Sequence, residues 1–171
     1  MKKLCALFCL LSLILSTSIY AQSEKLTLED IYARNTYQSK GVGQIRWMKD
    51  NKRYSKLESN QAIGGVDIVV YDAKSGSRTV LVRAEQLIPS GAGSPLDVAN
   101  YTWSEDNRKL LVFTNTRKVW RQNTRGDYWV LDLKSGKLSQ LGLGLEEATL
   151  MFAKFSPDGS RAAYEIGRAH V

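Results

Sequence analysis

The feature that most constrains the fold of this chain is an internal repeat. A unit with an aromatic residue, a short polar stretch containing Asp, then Asn or Gly and a basic residue occurs three times, at 44–54, 101–110 and 153–162. The aromatic residues of successive units are 56 and then 52 positions apart. Self-similarity at such a period is the sequence signature of an array of similar structural units.

The ends of the first two units also repeat. The stretch 69–80 matches the stretch 129–140, and each contains an Asp followed by a Lys-Ser-Gly turn signal, at Asp72 and at Asp132. Glycine tolerates the positive φ that tight hairpin turns require, and the residues on either side are typical of strands. Each stretch therefore predicts a hairpin.

Each unit predicts four strands in roughly 50 residues, which is the pattern of one β-propeller blade. We therefore predict an all-β fold, a partial β-propeller of about two and a half four-stranded blades over residues 41–165. The alternative is a β-sandwich, whose strands are also closely spaced, but the sandwich fold does not require the Asp-x-Lys-Ser-Gly turn to repeat at a fixed period. The aromatic residues expected in the blade cores are Trp47, Trp103, Trp129 and Phe155.

The first 21 residues have the order of a secretory signal peptide. A cationic start is followed by an apolar run, Leu4 to Leu15, and then by small and polar residues that end at Ala21. We therefore expect a signal helix at 1–21 and a protein that is exported to the periplasm or the extracellular space. After cleavage no stable membrane span is expected. The alternative is that the segment stays uncleaved and acts as a membrane anchor. Both cysteines, Cys5 and Cys9, lie in this segment, so the mature chain is expected to have no thiol.

Between the signal peptide and the repeats, residues 22–40 are expected to form a lead-in with one short helix. Thr27 is a suitable N-cap residue, with Asp30 three positions later. Residues 87–100 carry two prolines and two glycines and are predicted to be a loop.

The last residues, 166–171, resemble the translation of a sequencing adapter, so Glu165 is expected to be the last natural residue. The single histidine, His170, falls in this tail, and we expect no metal site and no cofactor. The formal net charge of +7 falls to +4 for residues 22–165, because the signal peptide contains two lysines and the tail contains one arginine. This excess is too diffuse to predict nucleic-acid binding, which favours a clustered basic face.

The segment 110–130 resembles the second blade of bacterial dipeptidyl peptidase IV-like serine peptidases in the prolyl oligopeptidase group. Its Val-Trp-Arg stretch is the specific part, and the segments 26–32 and 155–161 also fit. The resemblance implies a β-propeller joined to an α/β-hydrolase domain that removes dipeptides from peptide N-termini after Pro or Ala. It implies peptide substrates as partners and leaves a homodimer open for the full-length enzyme. No Gly-x-Ser-x-Gly elbow occurs in this chain, so we expect no catalytic residue here and an inactive fragment.

The resemblance assigns one substrate-binding residue, Arg121, which matches the family arginine that binds a substrate backbone carbonyl. A planar, permanently charged fork of donors suits that role. The alternative is an arginine on a strand rim that pairs with Asp127 or with solvent. Glu146 and Glu147 are expected in a solvated loop rather than in the family's amine clamp. The basic residues of the same hairpin, Arg117, Lys118 and Arg125, are expected to form a solvated face with Arg121.

Two alternatives to the dipeptidyl peptidase remain at this point. One is an exported β-propeller that binds a partner and carries no hydrolase. The other is a related oligopeptidase that cuts internally.

Overall fold

The computed structural model describes residues 26–39 and 41–167. The predicted signal peptide with its two cysteines and the final residues with His170 lie outside the described residues. The chain divides into two compact units, Met1–Gly41 and Val42–Val171.

In the first unit, one wide helical turn spans Glu29–Ala33, and its Glu29 carbonyl accepts the amide of Arg34 at 2.9 Å. The Thr27 hydroxyl accepts the Asp30 amide at 3.1 Å, but the predicted N-cap is one residue early, because Leu28 caps the turn and makes no side-chain cap hydrogen bond. The turn has no buried residue.

The second unit contains two antiparallel sheets. The first sheet has four strands in chain order: β1 (Ile45–Trp47), β2 (Arg53–Asn60), β3 (Gly65–Asp72) and β4 (Arg78–Val82). A 3₁₀ turn, Ala84–Leu87, precedes the loop that leads to the second sheet. That sheet comprises β5 (Asn100–Trp103), β6 (Lys109–Val119), β7 (Gln122–Asp132), β8 (Leu138–Gln140), β9 (Leu150–Phe155) and β10 (Ala162–Ile166).

The strand pairing shows the predicted repeat. Strands β1 to β4 form one four-stranded meander, and β5 to β8 form a second. The fold is therefore all-β, and its two meanders with a further strand pair are a partial β-propeller. The third unit differs from a free-standing half blade, because β9 pairs with β7 at Arg125 and Gly126. Strand β8 covers only three positions of the eleven-residue β7, so the backbone groups beyond it are free to pair with β9.

The repeated turns have the same chemistry. Asp72 Oδ1 accepts the Ser75 amide at 2.7 Å, and Asp132 Oδ1 accepts the Ser135 amide at 2.8 Å. These backbone hydrogen bonds hold the pKa of both carboxyl groups below the usual value. The turn that follows the aromatic residue of each repeat has Asn or Gly because its backbone requires a positive φ. The residues at this position are Asn51, Asn107 and Gly159.

The larger core lies between the two meanders. Its fully buried members include Ile68 and Val82 of the first sheet and Leu110 and Leu131 of the second. A polar contact joins the sheets within this core, because Ser55 Oγ accepts the indole N–H of Trp103 at 2.9 Å. A smaller cluster on the other face of the second sheet is formed by Leu111, Tyr128 and Leu150, with five partly buried neighbours that include Phe155.

The aromatic residues of the repeats have unequal environments. Trp103 is buried, and Trp129 and Phe155 pack against the two cores as partly buried residues. The prediction for Trp47 is wrong, because this residue is 56% exposed. Its ring makes one aromatic contact among the described residues, an edge-type contact with Tyr54 with ring centroids 5.9 Å apart. β1 is an edge strand, and Trp47 lies on its outer face rather than on the face that meets the second sheet. Among the described residues, no helix is both long and apolar enough to cross a bilayer.

Candidate functional site

The site is built on the long hairpin of β6 and β7. Each strand has eleven residues, whereas the neighbouring β5 and β8 have four and three, so the hairpin projects beyond the blade. Its tip is a two-residue turn, Trp120 and Arg121, closed by the Val119–Gln122 pair. Trp120 has a φ of +58° and is 94% exposed. A bulky residue in this backbone region costs on the order of 1–3 kcal/mol, and such strain concentrates at functional sites.

Arg121 is the exposed second residue of this turn. Asp127, its suggested partner, is buried and used elsewhere in the structure. One carboxylate oxygen accepts Asn115 Nδ2 at 2.7 Å and the other accepts the Ala148 amide at 2.7 Å. Asp127 is therefore not the partner of Arg121, whereas the other half of that alternative, an arginine facing solvent, stays open, because the guanidinium at the tip is exposed and forms no hydrogen bond or ion pair with any described residue.

Two compensating irregularities interrupt the hairpin below its tip. The register is regular from the Lys109–Asp132 pair to the Thr114–Asp127 pair. The next two residues of β6 then face Gly126 alone, which is the geometry of a β-bulge. One step nearer the tip, Thr124 of β7 has no partner on β6, and the regular register resumes. Bulges bend a strand and redirect its side chains, and they are common next to binding sites.

Gly126 is required at the bulge by the space around it. A Cβ atom at this position would lie 2.4 Å from Cε2 of Phe113 and 2.7 Å from the Thr114 carbonyl oxygen. The Phe113 ring is held in place by stacking on Tyr128, with ring centroids 4.6 Å apart and planes at 28°. Burial raises the pKa of the Tyr128 hydroxyl, which therefore stays protonated at neutral pH.

Asp127 connects the hairpin to the loop before β9. Its two hydrogen bonds join the bulge residue Asn115, whose φ is +46°, to Ala148, whose φ is +55°. The Thr149 hydroxyl donates to the carbonyl of Glu146 at 2.6 Å and orders the same loop. Glu146 and Glu147 are exposed there, in the solvated loop that the sequence predicts.

The sequence predicts that Arg117 and Arg125 lie on one solvated basic face; in the structure Arg117 is exposed, but Arg125 is half-buried and its Nε atom is buried. Arg117 and Arg125 are directly opposite each other across β6 and β7. Both line a cleft of about 570 Å³, with Glu146 and Thr149 of the loop on another side. Within the described residues, no three His, Cys, Asp or Glu side chains are grouped so that they could hold a metal ion.

Sequence and fold comparisons agree on the relatives of this chain. Residues 104–168 match the family described as Dipeptidyl peptidase IV (DPP IV) N-terminal region. Dipeptidyl aminopeptidase B of Saccharomyces cerevisiae is 31% identical over 156 residues, which are 86% of this chain and 17% of the yeast protein. A probable dipeptidyl-aminopeptidase B of Tuber melanosporum is 27% identical over 152 residues, which are 87% of this chain and 16% of the fungal protein.

The crystal structure of Porphyromonas gingivalis dipeptidyl peptidase 4 has the same fold over 81% of this chain and 19% of the bacterial enzyme. The TM-score is 0.62 and the sequence identity 24%. The chain thus spans a fifth or less of the length of the curated relatives it matches. The matched segment contains the whole β6–β7 hairpin with its exposed tip. These findings show that the chain is dipeptidyl peptidase IV-like and that residues 104–168 correspond to part of that family's N-terminal region.

Proposed function

We propose that this chain forms the start of the substrate-binding propeller of an exported, serine-type dipeptidyl peptidase. The enzyme would remove N-terminal dipeptides ending in Pro or Ala, and a hydrolase domain encoded beyond this segment would supply the Ser, Asp and His of the triad. In this proposal Arg121 binds a backbone carbonyl of the peptide substrate, so it acts in binding and takes no part in proton transfer.

One observation carries the proposal. An arginine with no described partner is held at the exposed tip of a projecting hairpin, inside the segment that matches the dipeptidyl peptidase IV N-terminal region. An exposed arginine side chain can adopt many rotamers, but the two-residue turn and the paired strands of the hairpin fix the position of the Arg121 backbone. This limits the conformational freedom lost when the guanidinium engages a substrate.

The expected size of the effect follows from the type of bond. A hydrogen bond from a charged donor contributes about 1.5–3 kcal/mol, which is a factor of about 10–100 in binding. Because the carbonyl is present in the ground state and the transition state alike, most of the loss should appear in KM.

The test uses the complete protein encoded by the uninterrupted reading frame. Initial rates with Ala-Pro and Gly-Pro anilides are measured for the wild type, Arg121→Ala and Arg121→Lys. Arg108→Ala is the matched control, because Arg108 is also exposed and sits in the same sheet's β5–β6 turn, where its contact with Asp106 is a loose 3.8 Å. We expect Arg121→Ala to raise KM roughly 10-fold or more, Arg121→Lys to raise it less, and Arg108→Ala to leave it unchanged.

Two results would reject the proposal. If the wild type releases no dipeptide from either anilide, the assignment as a dipeptidyl peptidase is wrong, and the exported binding propeller becomes the better interpretation. If the enzyme is active but Arg121→Ala and Arg108→Ala behave alike, Arg121 has no part in substrate binding. Export is tested separately by mass spectrometry of the secreted product, which should begin at Gln22 if cleavage follows Ala21.

A further inference from the structure

The register of the hairpin places two positive charges opposite each other. Like charges directly opposite in an antiparallel pair are destabilising. In the regular register of this hairpin Arg117 would face Thr124, and only the bulge moves it opposite Arg125. The bulge thus places two like charges opposite each other, which the regular register would not do.

The arginine pair differs from the arginines of the chain that form ion pairs, and Arg125 also has a buried donor without an acceptor. Four arginines elsewhere each have a carboxylate oxygen within 4 Å: Arg34, Arg53, Arg78 and Arg108. Across residues 26–39 and 41–167, Arg117 and Arg125 have no such partner. The Nε atom of Arg125 is moreover buried and lacks any hydrogen-bond acceptor in that part of the chain. Leaving a buried donor of a charged group without an acceptor costs free energy.

The surroundings of the pair are those of a small binding site. The cleft of about 570 Å³ falls within the size range of ligand pockets. Leu145 contributes an apolar wall, and Thr149 and Glu146 contribute polar groups. Ile166 and Gly167 also border the cleft and belong to the segment that resembles an adapter translation, so the volume of about 570 Å³ includes their contribution, whereas the positions of Arg117 and Arg125 are set by β6 and β7.

We propose that Arg117 and Arg125 bind a carboxylate of the peptide substrate, at a subsite separate from the carbonyl contact of Arg121. Two guanidinium forks match a planar carboxylate well. The nearby Glu146 disfavours a dianion such as phosphate more than a singly charged carboxylate, and Leu145 accommodates an apolar part of the peptide. The identity of the ligand as a peptide rests on the proposed function, whereas the site itself rests on the arginine pair.

Binding is tested by calorimetry on the complete protein with N-acetylated peptides, which need no turnover. The probes are acetyl-Ala-Pro-Ala with a free C-terminus, its C-terminal amide, and acetyl-Ala-Pro-Glu-amide. The first and third carry one carboxylate, at the C-terminus and in a side chain respectively, and the second carries none. The variants are Arg125→Met and Arg117→Met, which keep the length and apolar character of the stem. Lys118→Met is the matched control, since it removes the same charge from the neighbouring position of the hairpin.

We expect the wild type to bind at least one carboxylate peptide about 10-fold more tightly than the amide, with the preference weakened by salt. Both arginine variants should lose this preference, and Lys118→Met should retain it. Which of the two carboxylate peptides is preferred identifies the source of the anion. Equal affinity for all three peptides, or the same loss of preference in Lys118→Met, would reject the carboxylate subsite. Because this readout is independent of turnover, a protein that fails to cleave anilides but keeps the preference would reject the enzyme assignment alone.

Discussion

The space at Gly126 makes a sharp prediction about the hairpin. Adding one methyl group, in Gly126→Ala, would place a carbon 2.4 Å from the Phe113 ring and 2.7 Å from a backbone oxygen. Ordinary contacts between carbon atoms are about 3.5–4.0 Å, so the overlap with the ring is about 1 Å. The ring cannot move away freely, because it is stacked on Tyr128. The substitution must therefore break the stack or displace β6.

These contacts allow an estimate of how much Gly126→Ala lowers the free energy of unfolding. Overpacking a well-packed site costs about 1–3 kcal/mol, and losing an aromatic stack costs about 0.5–1.5 kcal/mol. We expect Gly126→Ala to destabilise the complete protein by about 2–3 kcal/mol, measured as a lower urea midpoint. Gly93→Ala is the matched control, because a Cβ atom at Gly93 meets nothing within 4 Å. It should be neutral or slightly stabilising.

The same variant reports on the site. Because Gly126 lies opposite the bulge residues of β6, in the part of the hairpin that supports the tip, displacement of β6 should also weaken the contact of Arg121 with substrate and raise KM. Shortening the blocking ring in the double variant Gly126→Ala with Phe113→Leu should restore part of the stability. Equal urea midpoints for Gly126→Ala and Gly93→Ala would refute the packing argument.

Two further predictions concern the first sheet. Ser55→Ala leaves the buried Trp103 indole without its acceptor and removes the hydrogen-bond partner of the buried Tyr101 hydroxyl. It should lower the free energy of unfolding by about 2–3 kcal/mol in urea titrations, whereas Ser59→Ala, at an exposed position, should not. The hydrogen bond from Tyr71, with smaller contributions from two cations, lowers the pKa of Glu58 to about 2. Its ionised form therefore stabilises the fold above the unfolded pKa near about 4.3, and this contribution disappears as the pH falls towards 2. The melting-temperature difference between wild type and Glu58→Gln should accordingly shrink over that range, and a difference independent of pH would contradict the assignment.

Short-range sequence signals determined the repeated elements. The turns at Asp72 and Asp132 depend on a side chain that bonds to amides two or three residues later and on a glycine with positive φ, so all their determinants lie within five residues. The alternation of apolar residues in the strands is equally local. Two four-stranded meanders were therefore readable from the sequence, and the period of the repeat indicated that they belong to a propeller.

Only the hairpin that carries the candidate site was readable from the sequence. The sequence indicated that Arg121 lies in a long hairpin, and the Val-Trp-Arg stretch supplied the resemblance, but the turn at Trp120 and Arg121 is known only from the structure. The functional role of Arg121 stays a prediction, since its partner is a substrate and not another residue of the chain.

Only the tertiary structure decided the contacts that depend on distant segments. The bulge that brings Arg117 opposite Arg125 is stabilised by Asp127, whose second hydrogen bond comes from Ala148, 21 positions away. A one-residue shift of register reverses the direction of every following side chain, and no local propensity specifies it. Exposure of Trp47 was decided in the same way, because the second sheet contacts the face of β1 that carries Arg46 and leaves the face with Ile45 and Trp47 open.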